Sequence, residues 1–215
     1  MHTRILQQLR QVLFPPVPDA ARSLSTLSST ITYPTISRGG HTIIAPLPYE
    51  HRLVRTTVQA LKFRGDVHAA GLLAAILAPL LAEELADRRL TGTFERALLI
   101  PMPLHPTRIR ERGFNQCVRI ATPLITALGE MPPILDPTVL MRTRHTPQQS
   151  HIRGVTARCD NVRDAFLVSA PQRIATQDVI LLDDVITTGA TMLEATKVLH
   201  DAGAHNVLCV AAARA

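Results

Sequence analysis

The feature that most restricts the fold is the segment Val179-Ile-Leu-Leu-Asp-Asp-Val-Ile-Thr-Thr-Gly-Ala-Thr191. Its four consecutive apolar residues, Val179 to Leu182, read as a strand buried on both faces, the pattern of a parallel sheet covered by helices. A loop is expected after Asp184, at the carboxyl edge of the sheet, where open α/β sheets bind their ligands. Thr187, Thr188, Gly189, Ala190 and Thr191 then turn tightly into a helix predicted from about Gly189 to Asp201, with Ala195, Val198, Leu199 and Ala202 on its apolar face. A further strand follows at Val207 to Ala212. Strand, helix and strand in this order form a βαβ unit, so the fold class is α/β with a mostly parallel sheet flanked by helices.

The same segment carries the strongest chemistry. Free N–H groups at a helix start point outward and favour negative charge, and three threonine hydroxyls add donors. A phosphate cup is therefore expected over Val185, Thr187, Thr188, Gly189, Ala190 and Thr191. Gly189 lets the backbone approach an anion closely or adopt positive φ. Asp183 and Asp184 can accept hydrogen bonds from two vicinal hydroxyls or hold water-bound Mg²⁺. Hydroxyl acceptors beside a phosphate cup describe a site for ribose 5-phosphate. An acidic pair after a buried strand also occurs in receiver domains, where it binds Mg²⁺, and as a simple helix cap. A receiver, however, carries its pair near its own first strand and has no use for the Thr-Thr-Gly-Ala-Thr turn. A Walker A loop is excluded, because the chain contains no G-x-x-x-x-G-K-[ST].

Upstream, Ile5, Leu9, Val12 and Leu13 suggest a short amphipathic helix over residues 1–13, ended by Pro15, Pro16 and Pro18. Residues 19–40 are rich in Ser, Thr, Ala and Gly and read as an irregular arm, so the division expected is an arm over residues 1–45 and one domain over 46–215. Helices are predicted from Val54 to Phe63, after Asp66, and from about Phe114 to Leu128. Strands are expected at Ala97–Ile100, Val139–Arg142 and Ala165–Val168. The longest apolar stretch, Ala69 to Ala82, is about 14 residues and short of the ~18 that span a bilayer, so no membrane insertion is expected. With Gln7, Gln8, Arg10 and Gln11 interrupting the N-terminal region, no signal peptide is expected either. Cys117, Cys159 and Cys209 are far apart and form no C-x-x-C pair, which fits a reducing, cytoplasmic setting.

Charge is unevenly spread. The chain carries a formal net charge of +6, and between Pro101 and Arg163 nine arginines face four acids, an excess of five. Such a field attracts phosphate-bearing partners, either small pyrophosphates or nucleic acid. In Pro101-Met-Pro-Leu-His-Pro-Thr-Arg-Ile-Arg-Glu-Arg-Gly113 the prolines stiffen a loop after a strand, and Arg108 and Arg112 can hold an anion bidentately. Arg110 and Glu111 read as a solvated face. His105 reads as a surface or hydrogen-bonded residue rather than a catalyst. The polar stretch from Arg142 to Arg163 is either an ordinary surface loop or a flap that closes over bound pyrophosphate and excludes water.

At Asp183 to Thr191 the chain resembles the phosphoribosyl pyrophosphate (PRPP) motif of type I phosphoribosyltransferases. More narrowly, it resembles the ComF family of competence-associated proteins, through Ala60-Leu-Lys-Phe-Arg-Gly-Asp66, Ile100-Pro-Met-Pro-Leu-His-Pro106, Arg108, Arg112-Gly-Phe-Asn-Gln116, Gln149, Arg158, Asn161 and Phe166. These matches span roughly residues 45 to 214. The resemblance implies a type I phosphoribosyltransferase fold that binds PRPP or another phosphorylated ribose with Mg²⁺. It implies that Asp183 and Asp184 are the catalytic acidic pair, and that Arg108 and Arg112 form the pyrophosphate loop. Arg142, Gln149, Arg158 and Asn161 would form the flexible loop. It also implies a competence role, with single-stranded DNA or the competence machinery as an alternative partner of a non-catalytic basic surface. Many members of the family begin with a four-cysteine zinc ribbon after Phe-Pro-Pro, whereas here Phe14-Pro-Pro16 leads into Val17-Pro18-Asp19, so no structural zinc is expected.

Overall fold

The structure is a computed structural model of the 215-residue chain, and it describes residue 26 and residues 35–38, 41–145 and 161–215. In chain order the elements are strands β1 (Thr35–Arg38), β2 (His41–Ile44) and β3 (Leu47–Pro48), helices α1 (Arg52–Arg64) and α2 (Val67–Leu90), strand β4 (Leu98–Pro101), helices α3 (Pro106–Arg112) and α4 (Gln116–Ala127), strands β5 (Ile134–Leu135), β6 (Leu140–Arg142), β7 (Phe166–Val168) and β8 (Asp178–Ile186), helix α5 (Ala190–Asp201) and strand β9 (Asn206–Arg214). The main sheet runs β1-β2-β9-β8-β4-β5, with β3 also paired to β9. Its pairings are parallel except for the β1–β2 hairpin. A separate antiparallel ribbon joins β6 to β7.

Alternation along β8 builds the core. Ile180 and Leu182 pack into one apolar layer with residues of α1, α2 and α4, while Val179 and Leu181 pack into the opposite layer with Met192, Ala195 and Leu199 of α5 and with the β6–β7 ribbon. A strand sends successive side chains to opposite faces, so a run of apolar residues serves both layers at once.

Helix α2 starts where Asp66 caps it, its Oδ1 accepting from the N–H groups of His68 at 2.9 Å and Ala69 at 3.2 Å. It continues through Pro79 to a length of 24 residues and is long and apolar enough, by length and composition, to cross a membrane. The helix extends beyond the 14-residue apolar run at both ends, taking in Glu83, Glu84 and Asp87. Leu73, Leu77, Leu81 and Leu85 recur every fourth position and are buried in the first layer. This makes α2 a core helix of the α/β sandwich.

Four elements differ from the sequence expectation. Residues 35–38 and 41–44, read as part of an arm ending at residue 45, pair as β1 and β2 and extend the sheet, with Ile43 and Ile44 beside Cys209 and Val210. Edge pairing supplied by a distant strand overrides their weak local pattern. Residues 106–112, read as loop, form α3: proline is tolerated at the first helical position, His105 Nδ1 accepts from the Thr107 N–H at 3.3 Å, and Gly113 closes the helix at φ 79°. Finally, β8 runs through the acidic pair to Ile186 instead of ending before Asp183, because β9 continues to pair with it as far as Arg214. The helix expected over residues 1–13 lies outside the described residues.

Candidate active site

Unequal strand lengths create the cavity. On one side of β8 the ladder with β4 stops at the Pro101–Leu182 pair, followed by one bond from the Met102 N–H to the Leu182 carbonyl at 2.7 Å. On the other side β9 stays paired to Ile186. Residues 183–186 thus have a strand partner on one side, and on the other a cavity of about 770 Å³ opens at the carboxyl ends of the strands. Asp183, Asp184, Val185, Thr187, Thr188, Gly189, Ala190 and Thr191 all line it, together with Arg108, Arg112 and Arg142.

The two carboxylates are held by the backbone that follows them. Asp183 Oδ1 accepts from the Asp184 N–H at 2.8 Å, and Asp184 Oδ1 accepts from the Val185 N–H at 2.8 Å. Asp184 is only 4% exposed, and its Oδ2 has no hydrogen-bond partner; the Lys62 ammonium stands 3.4 Å away as its counter-ion. That charge raises the pKa of Lys62 against the opposing effect of burial. Burial, and then the charge of Asp184, pushes Asp183 up to about 7. The Cys117 thiol lies 3.5 Å from Asp183 Oδ1, and burial with the adjacent acids holds it protonated, well above the usual thiol range.

One ligand atom from each of Cys117, Asp183 and Asp184 falls within 4.8 Å of the others. The two carboxylates and the unpartnered Oδ2 fit a hard cation such as Mg²⁺ held through water, whereas the thiol does not suit it.

Facing the carboxylates, α5 begins at Gly189, which sits at φ 83° and offers no capping side chain. Gly189, Ala190 and Thr191 line the cavity, which puts the start of the helix, the end that receives anions, at its wall. The nearest internal substitute is weak, with Thr188 Oγ1 3.5 Å from the Ala190 N.

The opposite wall is basic. Arg112 donates to Gln116 Oε1 at 3.2 Å and lies 6.0 Å from the Phe63 ring centre, and Arg108 pairs with Glu111 at 3.3 Å. Arg142 rests on the Phe166 ring at 5.4 Å. Burial lowers the pKa of both Arg112 and Arg142, the cost of aiming guanidinium groups into a cleft. His105 lines the cavity too, with its Nδ1 engaged in capping α3. Asn161 is not among the lining residues; its backbone carbonyl accepts from Arg144 at 3.0 Å. Gln149 and Arg158 lie outside the described residues.

Helix α1 brings Lys62 and Phe63, both within the Ala60–Asp66 match, to the cavity, together with two residues the sequence did not single out, Gln59 and, ahead of the helix, Tyr49. The spacing of Gln59 and Phe63, one helical turn apart, was a usable signal. Cys117 gave none, because its position beside Asp183 arises only when α4 crosses β8. The corner after α1 is fixed by Gly65, whose carbonyl accepts from Arg119 while the Arg119 guanidinium lies over the Phe114 ring at 4.1 Å. Asn115 secures the start of α4, accepting from the Cys117 N–H at 2.8 Å and donating to the Met102 carbonyl at 3.0 Å.

Comparison with known proteins places this geometry. Residues 115–215 match the family described as phosphoribosyl transferase domain. The DNA utilization protein YhgH of Salmonella typhimurium is 33% identical over 150 residues, covering 70% of this chain and 62% of that protein. The competence protein ComFC of Streptococcus pneumoniae is 30% identical over 168 residues, covering 73% of this chain and 64% of its own length. Residues 115–215 form a phosphoribosyl transferase domain. The chain is similar to competence and DNA-utilization proteins of the ComF type and spans somewhat under two thirds of the length of the curated relatives it matches. Among solved structures, a hypoxanthine phosphoribosyltransferase from Staphylococcus aureus is similar at 12% identity and a TM-score of 0.38, covering 68% of this chain and 63% of that one. The motif residues that mark the ComF resemblance are thus structural as well as site-lining: Phe114 and Asn115 hold α1 and α4, and Lys62 and Arg112 reach the cavity.

Proposed function

We propose that this chain binds PRPP, or a closely related phosphorylated ribose, and transfers its phosphoribosyl group to a nitrogen acceptor. The observation that carries the proposal is the convergence on one cavity of two carboxylates, an uncapped helix start and three lining arginines. In this reading the first amides of α5 and the hydroxyls of Thr187, Thr188 and Thr191 bind the 5′-phosphate. Asp183 and Asp184 accept from the vicinal ribose hydroxyls, and their negative charge stabilises the positive character that develops at C1. Arg108 and Arg112 bind the departing pyrophosphate, and Arg142, with Gln149, Arg158 and Asn161, helps exclude water. Mg²⁺, held through water by Asp183 and Asp184, would neutralise charge on the pyrophosphate. No enzyme nucleophile is needed. The setting is cytoplasmic in this proposal, consistent with Cys117 and Cys209 remaining free thiols. Calorimetry of PRPP with and without Mg²⁺, followed by a nucleobase screen for pyrophosphate release, tests the proposal. PRPP affinity and turnover unchanged in Asp183→Asn would refute it.

The names of the relatives extend the proposal to DNA use or competence. A second reading, a basic surface for single-stranded DNA, is favoured by one observation: Phe63 is 67% exposed at the cavity rim beside Arg112, a ring and a guanidinium available for base stacking. The other aromatic candidates do not help it, since Phe94 and Phe166 are buried and Phe114 packs against Arg119. DNA affinity insensitive to ionic strength would contradict this reading.

A further inference from the structure

We infer that the floor of the cavity is a binding site for a thiophilic divalent cation of the Zn²⁺ class, held by Cys117, Asp183 and Asp184. The three donors come from two elements, α4 and β8, and lie within 4.8 Å of one another, compact enough for one small ion. Asp184 is 4% exposed, and its Oδ2 has no hydrogen-bond partner and only the Lys62 ammonium, at 3.4 Å, as counter-ion. Cys117 is 1% exposed, and its thiol donates to Asp183 across 3.5 Å, so sulfur and carboxylate already share a position where a metal bridges such groups. Mg²⁺ gains nothing from sulfur, while a borderline-soft cation bonds strongly to thiolate; the mixed donor set therefore separates the two ions.

Binding replaces the thiol proton by the metal. The S–H bond of Cys117 breaks, an S–metal bond forms, the thiol proton and the proton that Asp183 holds below about pH 7 pass to solvent, and no electrons are transferred. Dication and Lys62 together then balance two carboxylates and one thiolate, leaving the cluster neutral. In the free protein the Lys62 ammonium, 3.4 Å from Asp184 Oδ2, stands in for part of that charge and opposes entry of the cation. The bound ion would occupy the carboxylates that the proposed function assigns to ribose, making the site inhibitory. It is distinct from a ribbon-type structural zinc and does not require PRPP to bind.

The test is a titration of the purified full chain with Co²⁺, without PRPP, under reducing conditions with a non-thiol reductant. A thiolate-to-cobalt charge-transfer band that saturates at one ion per chain is expected. Excess Zn²⁺ should abolish it and excess Mg²⁺ should leave it intact. Cys117→Ser should lose the band, Cys159→Ser should keep it, and Lys62→Met should reach saturation at lower cobalt. Absence of the band in folded wild type, or its persistence in Cys117→Ser, overturns the inference. Should Cys117→Ser fail to fold, Asp184→Asn decides: a band of unchanged position and midpoint refutes the site, and a shifted or weakened one supports it. Because PRPP is absent throughout, a protein that binds cobalt but not PRPP would leave this inference standing and sink the functional proposal alone.

Discussion

Replacing Gly65 by alanine tests the corner that carries α1 to the cavity. Gly65 sits at φ +61°, and an added Cβ would lie 2.6 Å from Arg119 Nη1 and 2.7 Å from Phe114 Cε1. Left-handed backbone costs a residue with a side chain about 1–2 kcal/mol. Displacing Arg119 also breaks its bond to the Gly65 carbonyl, and a hydrogen bond to a charged group is worth about 1.5–3 kcal/mol. The sum is about 3 kcal/mol or more, a fall in Tm of about 6–12 °C at the roughly 2–4 °C per kcal/mol of a chain this size. Gly92 is the internal control, since it has φ +77° but nothing within 4 Å of an added Cβ. Gly92→Ala should therefore show the backbone cost alone, about 1 kcal/mol. Urea unfolding of both variants, compared through their midpoints at equal slope, measures the difference. If Gly65→Ala is no more destabilised than Gly92→Ala, the close approach of Arg119 and Phe114 is not what fixes this corner.

Asp184→Asn should weaken PRPP binding by about 10–100-fold, the loss of one charge-assisted hydrogen bond, as read by calorimetry in Mg²⁺. Asn115→Ala removes both the cap of α4 and the donor to the Met102 carbonyl, and should cost about 2 kcal/mol in chemical unfolding; Asn115→Asp, which keeps the cap, should cost less. Asp183 has its pKa raised from 3.8 to about 7, so the native state keeps a proton that the unfolded chain releases. Its contribution to stability is therefore complete below about pH 4 and is lost as pH rises towards 7, and Asp183→Asn should remove that slope from thermal melts of the free protein. Leu77→Ala, in the buried stripe of α2, should cost about 2–5 kcal/mol without altering the charge balance at the cavity.

Much of the architecture was legible because its signals are local. The apolar run from Val179, the turn at Gly189 and the periodic face of α5 each announce themselves within a few residues, and together they define the βαβ unit. What escaped is what arrives from a distance. The strands β1 and β2 have an unremarkable Ser/Thr-rich composition and gain their state from β9, although Gly39-Gly40 between Thr35–Arg38 and His41–Ile44 was a hairpin signal in the sequence. The prolines before Arg108 read as loop formers until Pro106 occupied the first position of α3. In the cavity, the acidic pair, the Thr-Gly turn and Arg108 and Arg112 were named from the sequence because each belongs to a contiguous motif. Lys62 was noted through the Ala60–Asp66 match, but its pairing with Asp184, like the place of Cys117 beside Asp183, joins elements separated by more than sixty positions and leaves no trace in local spacing.

That the two carboxylates are rooted in a strand has a consequence for how anything is captured here. Their anchors are ladder bonds to β9 on one flank and their own backbone amides next to them, so the distance between these acceptors is set before a guest arrives. A ligand meets a fixed gauge and must match its spacing, and little ordering remains to be done at that wall on contact. Adaptation falls instead to side chains on the helices opposite, Lys62 first, whose long stem can swing aside while the gauge stays put.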